Sequence, residues 1–588
     1  MEQWFQHMKK ADFDAMAQAF SIDKVTARII RNRDIVSEED VKKYLFGTME
    51  ELYPPRLMKD VDKAVGIITQ AIEQKKKIRV IGDYDIDGVC STYILVSGLR
   101  YLLADVDYAI PNRIKDGYGM NIALVEEAIK DRVELIITCD NGISAYEQIA
   151  FAVSNGVQVV VTDHHEVPFD YNEAGEKIYK IPDADAVVDP KQEDCPYPFK
   201  EICGCVVAWK VMQALFMALG QEEPEDYLEI AAFATIGDVM ALKDENRIIV
   251  KYGLKKMPYT KNQGLKALID VNQLAGKDIK AYHVGFVLGP CMNATGRLDS
   301  ALRALDMLLS TKRNEAIVIA SELKELNDSR KDMTVKNTQL AVSQIEESSL
   351  IQDKVLVVYL ADCHESLAGI IAGRLREKYD RPAFVLTDSM EGVKGSGRSI
   401  EAYDMYEELN KCKDLLTKFG GHKMAAGLSL EREDVDNLRN ALNENTTLTP
   451  TDLVNRVYID LELPMGYVTK ELIKEFDMLE PFGDGNPKPV FALRNLNFLS
   501  MTVFGKNKNV VRFSVEEVSA SERLRHTLVY FGNIEQFSSY VEEKYSKEQL
   551  DRLMDGRENE VTLSVLYYPS INEYMGKQQI QYVMQGYK

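Results

Sequence analysis

Five short apolar runs each stop at an acid or a histidine, and that repeated punctuation limits what the chain can fold into. Lys77–Ile81 (KIRVI) runs into GDYDIDG, with Asp83, Asp85 and Asp87. Glu134–Thr138 (ELIIT) runs into Cys139-Asp140-Asn141-Gly142, and Val157–Thr162 (VQVVVT) into Asp163-His164-His165. Ala186–Val188 (AVV) runs into Asp189-Pro190, and Ala231–Ile236 (AAFATI) into Gly237-Asp238. Short β-branched runs separated by helix-length segments predict parallel strands with crossover helices. Ligands of such sheets bind outside the carboxyl ends of the strands. The five ends would gather up to seven carboxylates and two imidazoles on one rim. Such a cluster repels itself unless cations neutralise it, and divalent metal does so most simply.

In GDYDIDG alternate carboxylates follow a strand end, while Gly88 lets the backbone turn into the next helix. The motif also opens like a calcium loop, but that loop needs a Glu about six residues past its Gly. This chain has the apolar VCSTYILV there. A solvated acidic turn accounts for GDYDIDG alone; it does not account for Asp140, Asp163-His164-His165 and Asp238 at equivalent ends. Carboxylate with neutral imidazole suits Mn²⁺ and similar ions, whereas all-oxygen sites suit Mg²⁺ or Ca²⁺. Adjacent histidines do not readily point the same way, so one is expected on metal and the other toward substrate.

With 588 residues the chain has room for about three domains. The net charge of −21 argues against a nucleic-acid partner only weakly, because it is unevenly spread. Between Lys243 and Lys280 nine basic residues face four acidic ones. No apolar run is long enough to span a bilayer, and the opening MEQWFQHMKKADFD lacks the apolar stretch of a signal peptide. The expectation is a cytoplasmic protein without membrane contact. Cys195, Cys203 and Cys205 allow a zinc site but read better as buried thiols of a reducing compartment. No Walker A sequence is present, so no ATP use is expected.

The fold class expected is α/β. Residues 1–310 form a parallel-sheet catalytic domain with an N-terminal helical segment, 311–351 a long connecting helix free of Gly and Pro, and 352–448 a smaller α/β domain. Residues 449–588 carry alternating segments (VYIDLEL, NVVRFSV, HTLVYFG, VTLSVLYY, QIQYVM) broken by a helical insertion at Asn533–Met554, which predicts a small β-barrel.

GDYDIDG, Asp140, Asp-His-His and Gly237-Asp238 resemble, in the same order, the motifs of the DHH phosphoesterase superfamily. GSGRS (Gly395–Ser399) and GGHKMAAG (Gly420–Gly427) resemble its DHHA1 domain. Within that superfamily the chain is similar to the RecJ family of bacterial single-strand-specific 5′-to-3′ DNA exonucleases. PNRIKDGYG (Pro111–Gly119), MNATGRLDSA (Met292–Ala301) and LEPFGDGNPKPVF (Leu479–Phe491) carry the likeness along the chain.

The resemblance implies two divalent ions, Mn²⁺ or Mg²⁺, held by Asp83, Asp85, Asp87, Asp140, His164 and Asp238. Asp85 with one neighbour is favoured among the first three, and Asp140, alone at its strand end, is the expected bridging carboxylate. It places His165 at the scissile phosphate and implies that His165 and Arg297 stabilise developing charge, with Asn293 beside Arg297. Arg113, Ser396 and Arg398 match a 5′-phosphate pocket, and His422 is expected on DNA backbone or at the lobe interface. The activity implied is in-line hydrolysis of single-stranded DNA from a 5′ phosphate to 5′-mononucleotides, in DNA repair and recombination. A single-strand-binding protein and a helicase follow as partners. The last domain would be an OB-like barrel, with Phe504, Phe513, Tyr530, Tyr567 and Tyr568 available for bases, although strand aromatics are more often core. Two other readings stand beside this one. A DHH phosphodiesterase for short oligoribonucleotides or cyclic dinucleotides has no need of the long β tail. A catalytically inactive repair or replication scaffold has no reason to keep a self-repelling acid cluster.

Overall fold

The first four apolar runs are strands because both faces of their sheet are covered. β1 (Lys77–Ile81), β2 (Asp105–Ala109), β3 (Leu135–Cys139), β4 (Gln158–Thr162) and β5 (Ala186–Val188) form a parallel sheet in the order β2-β1-β3-β4-β5. Ile78, Val80, Ile137 and Val160 enter one core, and Ile81, Ile136, Val159 and Val161 enter another on the opposite face. Burial on both sides is why these strands read as continuous apolar runs rather than alternating ones. The register levels Ile81 with Thr138, and Thr138 with Val161, so the acids that follow emerge at one height. Chain order reverses between β1 and β3, which makes the crevice there the topological switch point of the sheet.

The computed structural model describes all residues except 1, 114–115, 173–174, 299, 390–391, 506–508, 519–521 and 575. Helices α1 (Ile86–Tyr101), α2 (Gly204–Leu219) and α3 (Tyr227–Gly237) complete the first core. α3 corrects one expectation: AAFATI is helix, not strand. Ala231, Ala232, Phe233 and Ala234 are all fully buried, so the segment is apolar around its circumference, and periodicity cannot separate a buried helix from a buried strand. Asp238 therefore arrives from a helix C-terminus.

α4 (Gly289–Leu298) leads to α5 (Arg313–Glu346), one unbroken helix of 34 residues, about 51 Å long at 1.5 Å per residue. It ends at a mixed sheet of β6 (Leu356–Tyr359), β7 (Ala383–Ser389), β8 (Gly392–Arg398), β9 (Lys418–His422) and β10 (Ala425–Leu430), in the order β9-β10-β8-β7-β6. Helix α6 (Ala368–Tyr379) packs on β7 and β8. All these elements belong to one compact unit, Met49–Asn455.

The second unit joins Met1–Thr48 to Arg456–Lys588. Its β11 (Phe491–Phe504), β12 (Val510–Val518), β13 (Arg523–Tyr530), β14 (Thr562–Tyr574) and β15 (Lys577–Tyr587) close into a five-stranded barrel, because β11 pairs with both β12 and β14. The sequence reading grouped the N-terminal helices with the first domain. They share a core with the barrel instead: Ile29, Ile30 and Leu45 pack with Phe476 and Phe491. Strand Gln3–Gln6 pairs with Arg456–Ile459. Arg33 makes a buried two-pronged ion pair with Asp460, at 2.8 and 3.1 Å. Among the barrel aromatics proposed for bases, Phe513, Tyr567 and Tyr568 are buried core residues, whereas Phe504 is exposed and Tyr530 half-buried.

Candidate metal centre and phosphate pocket

Asp83, Asp85 and Asp87 leave β1 on a turn that becomes α1. Asp85 caps that helix, one oxygen accepting from the N–H groups of Asp87 and Gly88 at 3.0 and 3.1 Å. Asp83 accepts from Gly119 N at 3.1 Å with one oxygen, while the other is buried with no partner among the described residues. Asp87 is anchored across the crevice, where the first N–H groups of α2, from Gly204 and Cys205, donate to its carboxylate at 2.6 and 2.9 Å. A helix N-terminus stabilises an anion placed there. Gly204 is required at that position, since a Cβ would meet Asp140 Cβ at 2.8 Å.

Asp140 follows β3 in left-handed backbone, φ 59°, a conformation that Asp adopts more readily than most residues. His164 Nε2 stands 3.1 Å from Asp140, 3.6 Å from Asp87 and 3.8 Å from Asp238. His164 Nδ1 is buried without a partner among the described residues. Three overlapping sets, Asp83–Asp85–Asp140, Asp87–His164–Asp238 and Asp140–His164–His165, each hold their ligand atoms within 4.8 Å of one another. Asp140 and His164 each belong to two of them. Asp163 and Asp189, which the rim count included, fall in none of these sets. Asp163 accepts from Ile143 N and His164 N and bonds His165 Nδ1 at 2.7 Å, and Asp189 accepts from Lys191 N at 2.7 Å.

Electrostatics identify what the cluster lacks. Burial, then the charge of Asp85, pushes the Asp83 carboxyl up to about 7. Burial and neighbouring carboxylates also push Asp87 and Asp140 up. Burial holds the His164 imidazole neutral by lowering its pKa. Buried, mutually repelling carboxylates with a neutral imidazole and an unpartnered carboxylate oxygen fit hard or borderline divalent cations. His165 differs. Its side chain is 43% exposed, and burial is outweighed by the Asp163 bond and surrounding acids, which raise it to about 9. Tyr118 OH donates to Asp140 O at 2.7 Å and lies 3.1 Å from His165 Nδ1. Tyr118 lies inside PNRIKDGYG, yet the sequence reading gave it no role.

A cavity of about 260 Å³ adjoins these acids, lined by Asp83, Asp85, Asp238, Arg113, Asn293 and Arg297 among others. Arg113 lies over the Tyr84 ring at 5.0 Å. Arg297 donates to Ser366 O at 2.8 Å, and burial together with Arg113, Arg330 and Arg398 lowers it to about 10. Arg398 donates to Ser396 Oγ at 3.2 Å. Among the described residues none of Arg113, Arg297 and Arg398 has an acidic partner. His422 stands apart from this group, exposed on edge strand β9 with its Nδ1 accepting from Met424 N. The register nevertheless puts it two strands across from Arg398, through Ala425. All eight cysteines are buried free thiols, and no metal-holding group among the described residues includes one.

A parallel sheet with acids and histidine at its switch point, beside an arginine group to which a second α/β lobe contributes Arg398, defines a metal-dependent phosphoesterase of the DHH type. Residues 77–235 match the DHH family N-terminal domain, 352–447 the DHHA1 domain and 459–586 the RecJ OB domain. The chain is 31% identical to the single-stranded-DNA-specific exonuclease RecJ of Haemophilus influenzae, covering 83% of this chain and 86% of that one. It is 33% identical to RecJ of Escherichia coli, over 79% and 82%. It is 39% identical to RecJ of Bacillus subtilis, over 86% of this chain but 63% of that longer protein. The crystal structure of RecJ with Mn²⁺ from Thermus thermophilus superposes with a TM-score of 0.80 at 26% identity, covering 100% of this chain and 79% of that one. The chain belongs to the RecJ family of single-stranded-DNA-specific exonucleases.

Proposed function

We propose that this chain removes 5′-mononucleotides from the 5′ end of single-stranded DNA, with Mn²⁺ or Mg²⁺, as a cytoplasmic repair and recombination nuclease. The observation that carries the reading is the pairing of an uncompensated acid cluster with arginines lacking acidic partners around one cavity. One group attracts cations, the other phosphate. Asp83, Asp85, Asp87, Asp140, His164 and Asp238 would hold two ions, which supply activated water and shield phosphodiester charge. Arg113, Ser396 and Arg398 hold the terminal phosphate and so fix the strand's direction. Arg297 and Asn293 orient the next phosphate, and His165, whose pKa the Asp163 bond raises, faces the oxygens where negative charge develops. Asp163 and Tyr118 keep the His165 ring in place. His422 contacts DNA backbone on the second sheet. A single-strand-binding protein and a helicase are the partners such an enzyme would use. The short-substrate and inactive-scaffold readings lose ground to the RecJ-type barrel and the intact cluster respectively.

The pocket assignment is tested with 5′-phosphorylated and 5′-hydroxyl strands. Arg398→Ala should reduce the preference for the phosphorylated strand by about ten-fold or more, since charge-assisted Arg–phosphate bonds contribute about 1.5–3 kcal/mol. A parent protein indifferent to the 5′ group would remove this pocket from the account.

A further inference from the structure

Ala281–His283, the wide π-type turn Val284–Leu288 and α4 follow one another without a break. Toward the C-terminal end of this run, Arg297 joins the arginine group. In its middle Gly289 lies against Ile86, where a Cβ would meet Ile86 Cδ1 at 3.2 Å, beside the acids of the first motif. The π-type turn packs on α3, which delivers Asp238. Continuing toward the N-terminus, the next outward side chains are Phe286 and Tyr282, 67% and 64% exposed. Their rings stack, with centroids 5.1 Å apart and planes at 26°. Tyr282 and Phe286 are four residues apart, as are Asn293 and Arg297, so each pair shares one face of the run. Phe286 precedes Asn293 by about 10 Å along the axis at 1.5 Å per residue.

Core packing does not explain two large aromatics stacked on each other in solvent. Their surroundings are basic: Lys277 and Lys280 are exposed just before them, and both depress the His283 imidazole, after burial. Asp278 is the one acid between these lysines. Flat rings flanked by ammonium groups match a nucleobase with its phosphate, and stacking accepts every base.

We propose that Tyr282 and Phe286 form a stacking platform for nucleobases of the single strand on the 3′ side of the scissile bond. This rests on the reading that the arginine end of the cavity holds the 5′ phosphate, because the run then passes from that end, past the acids, to the aromatic pair.

The test uses the full chain with Mn²⁺ and 5′-phosphorylated strands of graded length. The double variant Tyr282→Ala with Phe286→Ala should raise KM on long strands about ten-fold or more, as loss of base–aromatic stacking predicts. Its kcat, and its KM on the shortest strands, should match the parent. Tyr282→Phe with Phe286→Tyr keeps both rings and should keep the parent KM. Unchanged KM at every length overturns the platform, as do equal losses on short and long strands, which mark a structural role. A variant with parent KM but altered sedimentation assigns the rings to contact between copies, which also overturns it. A parent that leaves single strands intact overturns the underlying reading; a parent that degrades them beside an indifferent variant overturns the platform alone.

Discussion

His164 and His165 are neighbours in sequence with opposite electrostatics. His164 is buried, with its pKa lowered by burial, and within 3.8 Å of three carboxylates, whereas His165 is at the rim and its pKa is raised by the Asp163 bond and the surrounding acids. His164→Ala should therefore weaken Mn²⁺ binding by about ten-fold or more. His165→Ala should leave Mn²⁺ affinity near the parent's and lower kcat by about a hundred-fold. Calorimetric Mn²⁺ titration beside steady-state kinetics separates the two, and equal loss of metal in both variants would contradict the division. Asp83 makes a second prediction. Its carboxyl sits near 7 in the folded protein without metal, against about 3.9 when unfolded, so the folded state binds the extra proton between those values. That contribution to stability is complete below about pH 4 and is lost as pH rises through 7. In EDTA, the parent should lose stability relative to Asp83→Asn between pH 5 and 8, and Mn²⁺ should cancel the difference. Thermal unfolding of both proteins across that range, with and without Mn²⁺, measures it; a parent that gains on the variant as pH rises has the opposite sign.

At the scale of elements, the barrel closes only because β11 bends through two register breaks and pairs on both sides. Its unit also needs Met1–Thr48, whose Ile29, Ile30 and Leu45 line the same core. Deleting residues 456–588 alone would expose that helical face, so a clean test removes 1–48 as well. The remaining 49–455 should hydrolyse very short strands like the parent but show KM on long strands raised about ten-fold or more, with a flatter salt dependence. Equal losses at every length would make the barrel unit a support for folding. Four of the five apolar runs were legible as strands, because residues such as Val159–Val161 are β-branched and closed by turn residues. AAFATI was not, since alanines and a phenylalanine buried on every side leave no period to read. The acid–histidine cluster was legible from chain order, as Asp140 and His164 follow neighbouring strands. Tyr118 was not, because its hydroxyl meets Asp140 and His165 from a loop that precedes both in the chain. The partner of the N-terminal helices was equally hidden: Arg33 and Asp460 lie more than 400 residues apart, and amphipathic pattern says that a face is buried, not against what.

At the scale of the whole molecule, the net charge of −21 is compatible with a nucleic-acid substrate because the charges are sorted. Acids concentrate at the proposed metal centre, and Arg113 and Arg297, without acidic partners among the described residues, line the cavity beside them. The described residues include no helix long and apolar enough to cross a membrane. Both lobes of the larger unit contribute: the parallel sheet and α3 supply the acids and the second sheet supplies Ser396 and Arg398. The most direct test follows a uniformly labelled, 5′-phosphorylated single strand and its duplex with time, in Mn²⁺ and in EDTA, with Asp140→Ala beside the parent. The account predicts that the parent releases 5′-mononucleotides from the 5′ end of the single strand only, that EDTA stops it, and that Asp140→Ala falls by about a thousand-fold while remaining folded. Release from the 3′ end, equal attack on duplex, or an active Asp140→Ala protein would contradict it.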